Sequence, residues 1–270
     1  MSRVAFKISV GFVVGVLILL AVALSLSAYY LAQQQMLATS GDVAGALDAA
    51  RLSARLDPFN SAPLTAEALL LQRQGQNEEA AEVLRDAIER DPANYTNRTQ
   101  LGNLQLTQLN DPEAAVESYR VALDQIPRDT NLIASLAFAL TRTGDLEAAK
   151  TEYERVRDLD RISSRNLYDL GRIYARTEEP EKAVETLTGV REDVAARVEE
   201  SDNDDAKRVQ RELFLNSIDL AIADAHVVQG DYPEATAVLE ESEAEQAPAI
   251  LELLNTNPEE YRESVLNSGL

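Results

Sequence analysis

The side chains able to do chemistry in this 270-residue chain are few and one-sided. There is no cysteine or tryptophan and one histidine, and 46 acidic residues face 25 basic ones for a net charge of −21. Without thiols, sulfur nucleophiles and cysteine metal sites are excluded. His226 has no second ligand at metal-site spacing and reads as a packing residue on an inward face. Carboxylates, hydroxyls and guanidinium groups remain, and no catalytic constellation is visible among them. The chain is expected not to be an enzyme, to carry no cofactor or metal, and to take no small-molecule substrate. The run ESDNDDAKR gathers Glu200, Asp202, Asp204 and Asp205, oxygen donors of the kind calcium accepts. It lacks the tight-turn glycine and the terminal glutamate of a calcium loop, so it reads as a solvated acidic turn. Asn94 and Asn97 head NYT and NRT, which are glycosylation acceptors in a cell that has the machinery.

Arginine is the residue left with a distinctive role. Only Lys7, Lys150, Lys182 and Lys207 are lysines, so guanidinium carries nearly all the positive charge. Its planar fork suits carboxylates, which an ammonium binds only as a point charge. Nucleic acid is not expected as a ligand, because the acidic field repels a polyanion and no Lys/Arg-rich run overrides it.

Two kinds of element position these groups. The first is an apolar helix. No charged residue lies between Lys7 and Asp42, and residues 8–31 are mostly apolar. A bilayer core of ~30 Å takes up roughly 20 helical residues, so this stretch is long enough to span, and it is longer than the apolar region of about 7–15 residues in a cleavable signal peptide. Tyr29 and Tyr30 fall where interfacial aromatics belong. Arg3 and Lys7 precede the span and the first basic residue after it is Arg51. The positive-inside rule then puts residues 1–7 in the cytoplasm and the chain from about residue 32 onward outside it, in a periplasm or at a cell surface.

The second element is a repeat. Alanines recur at 46, 80, 115, 149 and 183, with spacings of 34, 35, 34 and 34. Gly41, Gly75 and Gly144 stand upstream of them and Pro58, Pro92 and Pro127 downstream, which reads as helix, glycine turn, helix, proline turn. One helical period carries Leu64, Ala68, Leu71, Ala80, Leu84 and Ala87. The next carries Leu101, Gly102, Ala115, Tyr119 and Ala122; then come Ile133, Leu136, Ala137, Leu140, Ala149, Tyr153 and Val156; then Leu167, Leu170, Gly171, Tyr174, Ala183, Leu187 and Val190. The segments GDVAGALDAARLSARLDP, GQNEEAAEVLRDAIERDP, DPEAAVESYRVALDQIP, GDLEAAKTEYERVRDLDR and EPEKAVETLTGV resemble the tetratricopeptide repeat family. The expected fold is all-α, a solenoid of about five helix-pair repeats behind an N-terminal transmembrane helix.

Some places depart from the pattern. Glu67 stands where an apolar residue is usual, and Arg161 where a proline should end a helix. The extra residue of the second repeat falls at LNDPEAA, where Asp111 can cap and Pro112 open a helix. The first repeat lacks a leading helix unless residues 27–38 supply it, so the anchor is expected to run into the solenoid as a stiff stem. Residues 32–200 hold the regular repeats. Residues 201–270 hold an atypical last repeat, reached through two overlong helices meeting at the acidic turn near Ser201–Asp205, and then a capping helix and tail in which Leu251, Leu253 and Leu254 close the apolar face.

The resemblance also implies a partner site. The family's first helices line a concave groove, and its groove-facing places fall here on Arg73, Gln100, Asn103, Asn131, Phe138, Arg142, Arg165, Tyr168, Arg172 and Arg176, with Asp169 opposing five arginines. Such a groove suits a protein or peptide partner, an acidic segment among them. Asn103 matches one place of the family's two-carboxylate clamp, but the clamp's lysines are absent. The implied function is a membrane-anchored scaffold or adaptor outside the cytoplasm that assists assembly or translocation of other proteins. The alternatives are a stably bound subunit of a larger membrane complex and an organellar import receptor with a cytosolic repeat domain.

Overall fold

The computed structural model describes residues 3–159, 162–199 and 205–268. Among them there are fourteen helices and no strand. The chain divides into two compact units, Met1–Pro127 and Arg128–Leu270.

The first unit holds α1 (Arg3–Ser40), α2 (Val43–Leu56), α3 (Ala62–Arg73), α4 (Asn77–Arg90), α5 (Tyr95–Thr107) and α6 (Pro112–Gln125). Short turns make α1–α2, α3–α4 and α5–α6 hairpins, and successive hairpins pack through α2 on α3 and α4 on α5. α1 is unbroken from the apolar stretch into the first hairpin, as a stiff stem requires. Among the described residues it is the one helix long and apolar enough to cross a membrane.

The second unit holds α7 (Thr130–Thr143), α8 (Leu146–Asp158), α9 (Ser164–Arg176), α10 (Pro180–Glu199), α11 (Asp205–Gln229), α12 (Tyr232–Glu241), α13 (Ala247–Thr256) and α14 (Pro258–Asn267). The pairs α7–α8, α9–α10 and α11–α12 repeat the hairpin, and α14 packs on both α9 and α11. The long α10 and α11 match the overlong helices expected here. The acidic turn between them, with Glu200, Asp202 and Asp204, lies outside the described residues, as do Arg161 and the side chain of Asp205.

The repeat residues do the packing that their spacing implies. Ala46, Ala80, Ala115, Ala149, Ala183 and Ala235 are each 0% exposed, at the places where the two helices of a pair approach. Gly102 and Gly171 allow the closest approach. A Cβ on Gly102 would lie 2.7 Å from the Tyr119 ring, and one on Gly171 would lie 2.6 Å from Leu187 Cγ. The turns between paired helices use the left-handed backbone that glycine adopts without strain, as at Gly144 with φ of 84°. Asn110 (φ 51°) and Glu178 (φ 59°) occupy that conformation in the two repeats that have no glycine there. Asp111 caps α6 by accepting from the Ala114 N–H at 3.0 Å, and Pro112 takes the first helical position.

Three expectations are corrected. The C-terminal segment forms two helices, because Pro258 cannot continue α13 and instead opens α14. Leu254 is buried and Leu251 packs on the same apolar cluster, but Leu253 is 47% exposed, turned about 100° from Leu254 around α13. Asn97 is a buried linker and no acceptor for glycans: its Oδ1 accepts from Thr65 Oγ1 at 2.7 Å and its Nδ2 donates to the Ala87 carbonyl at 3.3 Å. Asn94 is used as the cap of α5, accepting from the Thr96 N–H. Glu67, the misfit in the apolar pattern, is buried against Arg51, with Nε to Oε1 at 2.7 Å.

Candidate functional site

α9 is amphipathic in an unusual sense. Leu170, Ile173 and Tyr174 bury one face among the repeats. Arg165, Asp169, Arg172 and Arg176 follow each other at intervals of four, three and four residues and so share the other, with Tyr168 beside Asp169. On the preceding first helix, α7, Phe138 and Arg142 are likewise four apart. The two faces meet around a cavity of about 360 Å³ lined by Phe138, Thr141, Arg142, Arg165, Asp169 and Arg172. Five of those six residues were mapped from sequence as groove positions or as the opposing carboxylate.

Aromatic rings hold the guanidinium groups in place. The Arg165 Cζ lies 5.5 Å from the Tyr168 ring centre and 5.9 Å from that of Phe214, and the Arg172 Cζ lies 5.4 Å from Tyr168. Tyr168 and Phe214 pack edge to face, 5.3 Å apart at 72°. Stacking of this kind restrains a long flexible side chain and leaves its N–H fork for a carboxylate. Asp169 is the one acidic group in the cavity lining, with Oδ2 3.7 Å from Arg165 Nε. Burial pushes its carboxyl up from the ordinary 3.8, and Arg165 and Arg172 pull it partly back. Burial also raises the Tyr168 phenol.

The remaining mapped residues are placed elsewhere. Arg176 turns to the end of α14, donating from Nη2 to Ser268 Oγ at 2.8 Å and from Nε to the Ser268 carbonyl at 3.3 Å. Its burial, and then the nearby Arg172 cation, lower its pKa below the usual guanidinium range. Asn131 lines a separate hollow with Arg128, Asp129, Thr130 and Leu159. In the first unit Arg73 and Asn103 are exposed and Gln100 is half-buried. Asn103 Oδ1 accepts from the Tyr119 hydroxyl at 2.7 Å, which ties it to the α5–α6 packing. Burial pushes the Tyr119 phenol up to about 12.

Sequence reasoning missed the contribution of α11. Phe214, Ser217, Ala221 and Asp224 fall at helical spacing and extend the face beyond Arg172 into a second cavity of about 550 Å³. Asp224 is half-buried, its desolvation raises its carboxyl, and it accepts from the Tyr261 hydroxyl of α14 at 2.7 Å. The intervals were legible, but the overlong α10 and α11 shift the phase of the repeat, so the family's groove places do not carry across. Among the described residues no group of histidines and carboxylates is placed to hold a metal. The buried Nδ1 of His226 has no hydrogen-bond partner among the described residues.

Comparison with known proteins agrees with this architecture. Tetratricopeptide repeat family models match residues 65–130, 136–193 and 219–241, together more than half of the chain. A TPR repeat-containing protein of Dictyostelium discoideum is 32% identical over 108 residues, covering 37% of this chain and 40% of that protein. The chain thus spans about two fifths of that relative's length. A tetratricopeptide repeat protein from Parabacteroides merdae superposes with a TM-score of 0.61 at 17% identity, covering 89% of this chain and 91% of its own. PilW, described as a widely conserved type IV pilus biogenesis factor, superposes with a TM-score of 0.54 at 16% identity, covering 89% and 98%.

Proposed function

Because the chain belongs to the tetratricopeptide repeat family, whose helical arrays bind protein or peptide partners, we propose that it is a membrane-anchored scaffold that holds an acidic segment of a partner protein outside the cytoplasm. The observation that carries this reading is the cavity between α7 and α9. Arg142, Arg165 and Arg172 line it with Phe138 and a single carboxylate, in a protein whose net charge is −21. An extended peptide with carboxylates meets stacked guanidinium forks there, and Phe138, 37% exposed, offers it an apolar contact. The acidic remainder of the surface repels acidic segments elsewhere, so attraction is local to the cavity.

Anchoring is supported by the length and apolar character of α1, and the outward placing of the repeats by Arg3 and Lys7, whose side chains lie outside the described residues. A part in assembling other proteins is supported by the likeness to a pilus biogenesis factor.

The test is binding of labelled glutamate-rich and lysine-rich peptides to the full chain in nanodiscs. The acidic peptide should bind, and its affinity should fall with salt, since partly exposed charge pairs are screened. The Arg165→Glu, Arg172→Glu double variant should lose at least about tenfold in affinity with helicity preserved, since each charge-assisted pair contributes about 1.5–3 kcal/mol. Equal binding of both peptides, or unchanged affinity in that variant, would remove the cavity from the reading. Protease added to intact spheroplasts should digest the repeats, and protection until the membrane is permeabilised would reverse the orientation.

A further inference from the structure

The register of the first hairpin sets how close the first repeat comes to a bilayer. Ser27 of α1 and Ser53 of α2 are buried face to face. Ser53 Oγ donates to the Ser27 carbonyl at 2.9 Å, Ser27 Oγ lies 3.0 Å from the Ser53 carbonyl, and the two hydroxyl oxygens are 2.9 Å apart. The helices run antiparallel, so each residue after Ser53 falls level with one before Ser27. At 1.5 Å per residue, Leu56 comes near the level of Leu24, and the turn from Asp57 to Asn60 lies roughly 5–10 Å further than Ser27 toward the start of α1. A hydrocarbon core of ~30 Å takes up about 20 helical residues. Only residues 8–23, about 24 Å of helix, separate Lys7 from the level of Asp57. That is less than the thickness of the core, so no apolar length is left over to lift the α2–α3 turn into the water, and the turn sits at the outer edge of the lipid.

That turn is equipped for the position. Phe59 is 78% exposed, more than any large apolar side chain described from Phe12 onward, those of the apolar stretch among them. The backbone around it is satisfied from within. The carbonyls of Ala54, Asp57 and Asn60 converge on Arg90 Nη1 at 3.2, 3.5 and 3.3 Å. The Asp57 carboxylate is folded back onto the turn, accepting from the Phe59 N–H at 3.2 Å. A turn whose carbonyls and carboxylate are engaged this way is fit for a low-dielectric boundary. Arg55, exposed in the last turn of α2, lies about 3 Å above the start of the turn, from where its long side chain can reach lipid phosphates. An aromatic tip with a basic residue behind it is favoured at the headgroup level, whereas a fixed, exposed phenylalanine in water has nothing to offset it.

We propose that the α2–α3 turn is a second membrane contact, with Phe59 wedged among the lipid headgroups and Arg55 on lipid phosphates, so that the first repeat lies against the outer leaflet. The contact rests on the reading of α1 as a membrane span, and the two are separable by experiment. The chain has no tryptophan, so each one introduced is the sole reporter. Three full-length variants are reconstituted in phosphatidylcholine–phosphatidylglycerol vesicles: Leu19→Trp in the span, Phe59→Trp in the turn, and Gln74→Trp in the α3–α4 turn at the opposite end of the helices. All three sites are exposed, and circular dichroism checks that helicity is kept. The expected result is several-fold stronger quenching of the Leu19→Trp and Phe59→Trp emission by spin-labelled lipids than of Gln74→Trp, with aqueous iodide giving the reverse order. Quenching of Leu19→Trp by lipid, with Phe59→Trp behaving like Gln74→Trp, overturns the contact and leaves the span standing. A Leu19→Trp signal untouched by spin-labelled lipid overturns the span, and the contact with it.

Discussion

Gly171→Ala and Gly189→Ala are the same chemical change in two neighbouring helices, and they should move stability in opposite directions. Ala regains about 1 kcal/mol over Gly in a helix interior wherever nothing obstructs it. At Gly189, on the exposed side of α10, a Cβ meets nothing within 4 Å, so that gain should appear in full. At Gly171 the same Cβ would lie 2.6 Å from Leu187 Cγ and 2.8 Å from Cδ2, against the 3.5–4.0 Å at which carbon atoms rest. Leu187 is fully buried and has no room to retreat. Overpacking of this kind costs about 1–3 kcal/mol. Propensity cancels when the two variants are compared, so their difference is the clash alone. At about 2–4 °C per kcal/mol for a chain of this size, Gly171→Ala should melt at least about 2 °C below Gly189→Ala. The assay is thermal unfolding of the full chain in mild detergent, followed by helical circular dichroism. Adding Leu187→Ala should remove most of the extra loss at Gly171, and the double-mutant cycle should show coupling between the two sites. Equal midpoints for the two alanine variants would refute the close approach of α9 and α10.

Other outcomes follow from the same structure. Glu178→Gly should raise stability by about 0.5–1 kcal/mol, because an L residue at φ of 59° bears left-handed strain that glycine does not; urea titration reads it. Arg51→Ala should cost about 1–3 kcal/mol by stranding the buried Glu67 carboxylate, a loss tempered by the partial exposure of Arg51, while Glu67→Leu should be close to neutral in the same titration. The Asp169 carboxyl is raised above 3.8 by burial, so the folded chain prefers it protonated. Its contribution is then largest below pH 3.8 and is lost as pH rises through the folded value. Asp169→Asn should accordingly reduce the fall in stability above pH 3.8 seen in urea titrations at a series of pH values, and an unchanged profile would rule out the buried carboxylate as its source.

Much of the fold was legible because a repeat states each packing rule several times. Ala46, Ala80, Ala115, Ala149 and Ala183 mark the same contact in successive pairs, and the residues spaced around them are the buried ones. Legibility fails where a residue's role depends on something outside its own repeat. Asn97 looks like a glycan acceptor in the local string NRT, yet its partners are Thr65 and Ala87 of the preceding hairpin. Leu253 and Leu254 are equivalent in composition and differ only in their angle around α13, and which of them is buried is set by the face that α13 turns to the apolar cluster of α11 and α12. Phe214 and Asp224 belong to the site because α11 is too long to keep the family's phase, a displacement no position-by-position mapping follows.

The five arginines mapped onto the groove illustrate the same division, and it bears on what the cavity can hold. Arg73 belongs to the first unit. Arg176 faces Asp224 and is held by Ser268 against α14, so its charge serves the closure of the last repeat. Arg142, Arg165 and Arg172 remain around one cavity with Asp169 as the opposing acid. Summed over the cavity lining alone, three guanidinium groups and one carboxylate carry a formal charge of +2, with Phe138 beside them and the ring of Tyr168 carrying Arg165 and Arg172. Such repulsion persists in a fold only when the rest of the molecule, here at a net −21, or a bound anion compensates it. The acidic surface does so at long range and is screened by salt, whereas a pair of carboxylates on one peptide segment does so at contact. On the proposed function, the charge count favours a ligand with two neighbouring acidic side chains over one with a single carboxylate, and disfavours a polyanion, whose further charges would meet Glu243, Glu245 and Asp224 lining the adjoining cavity.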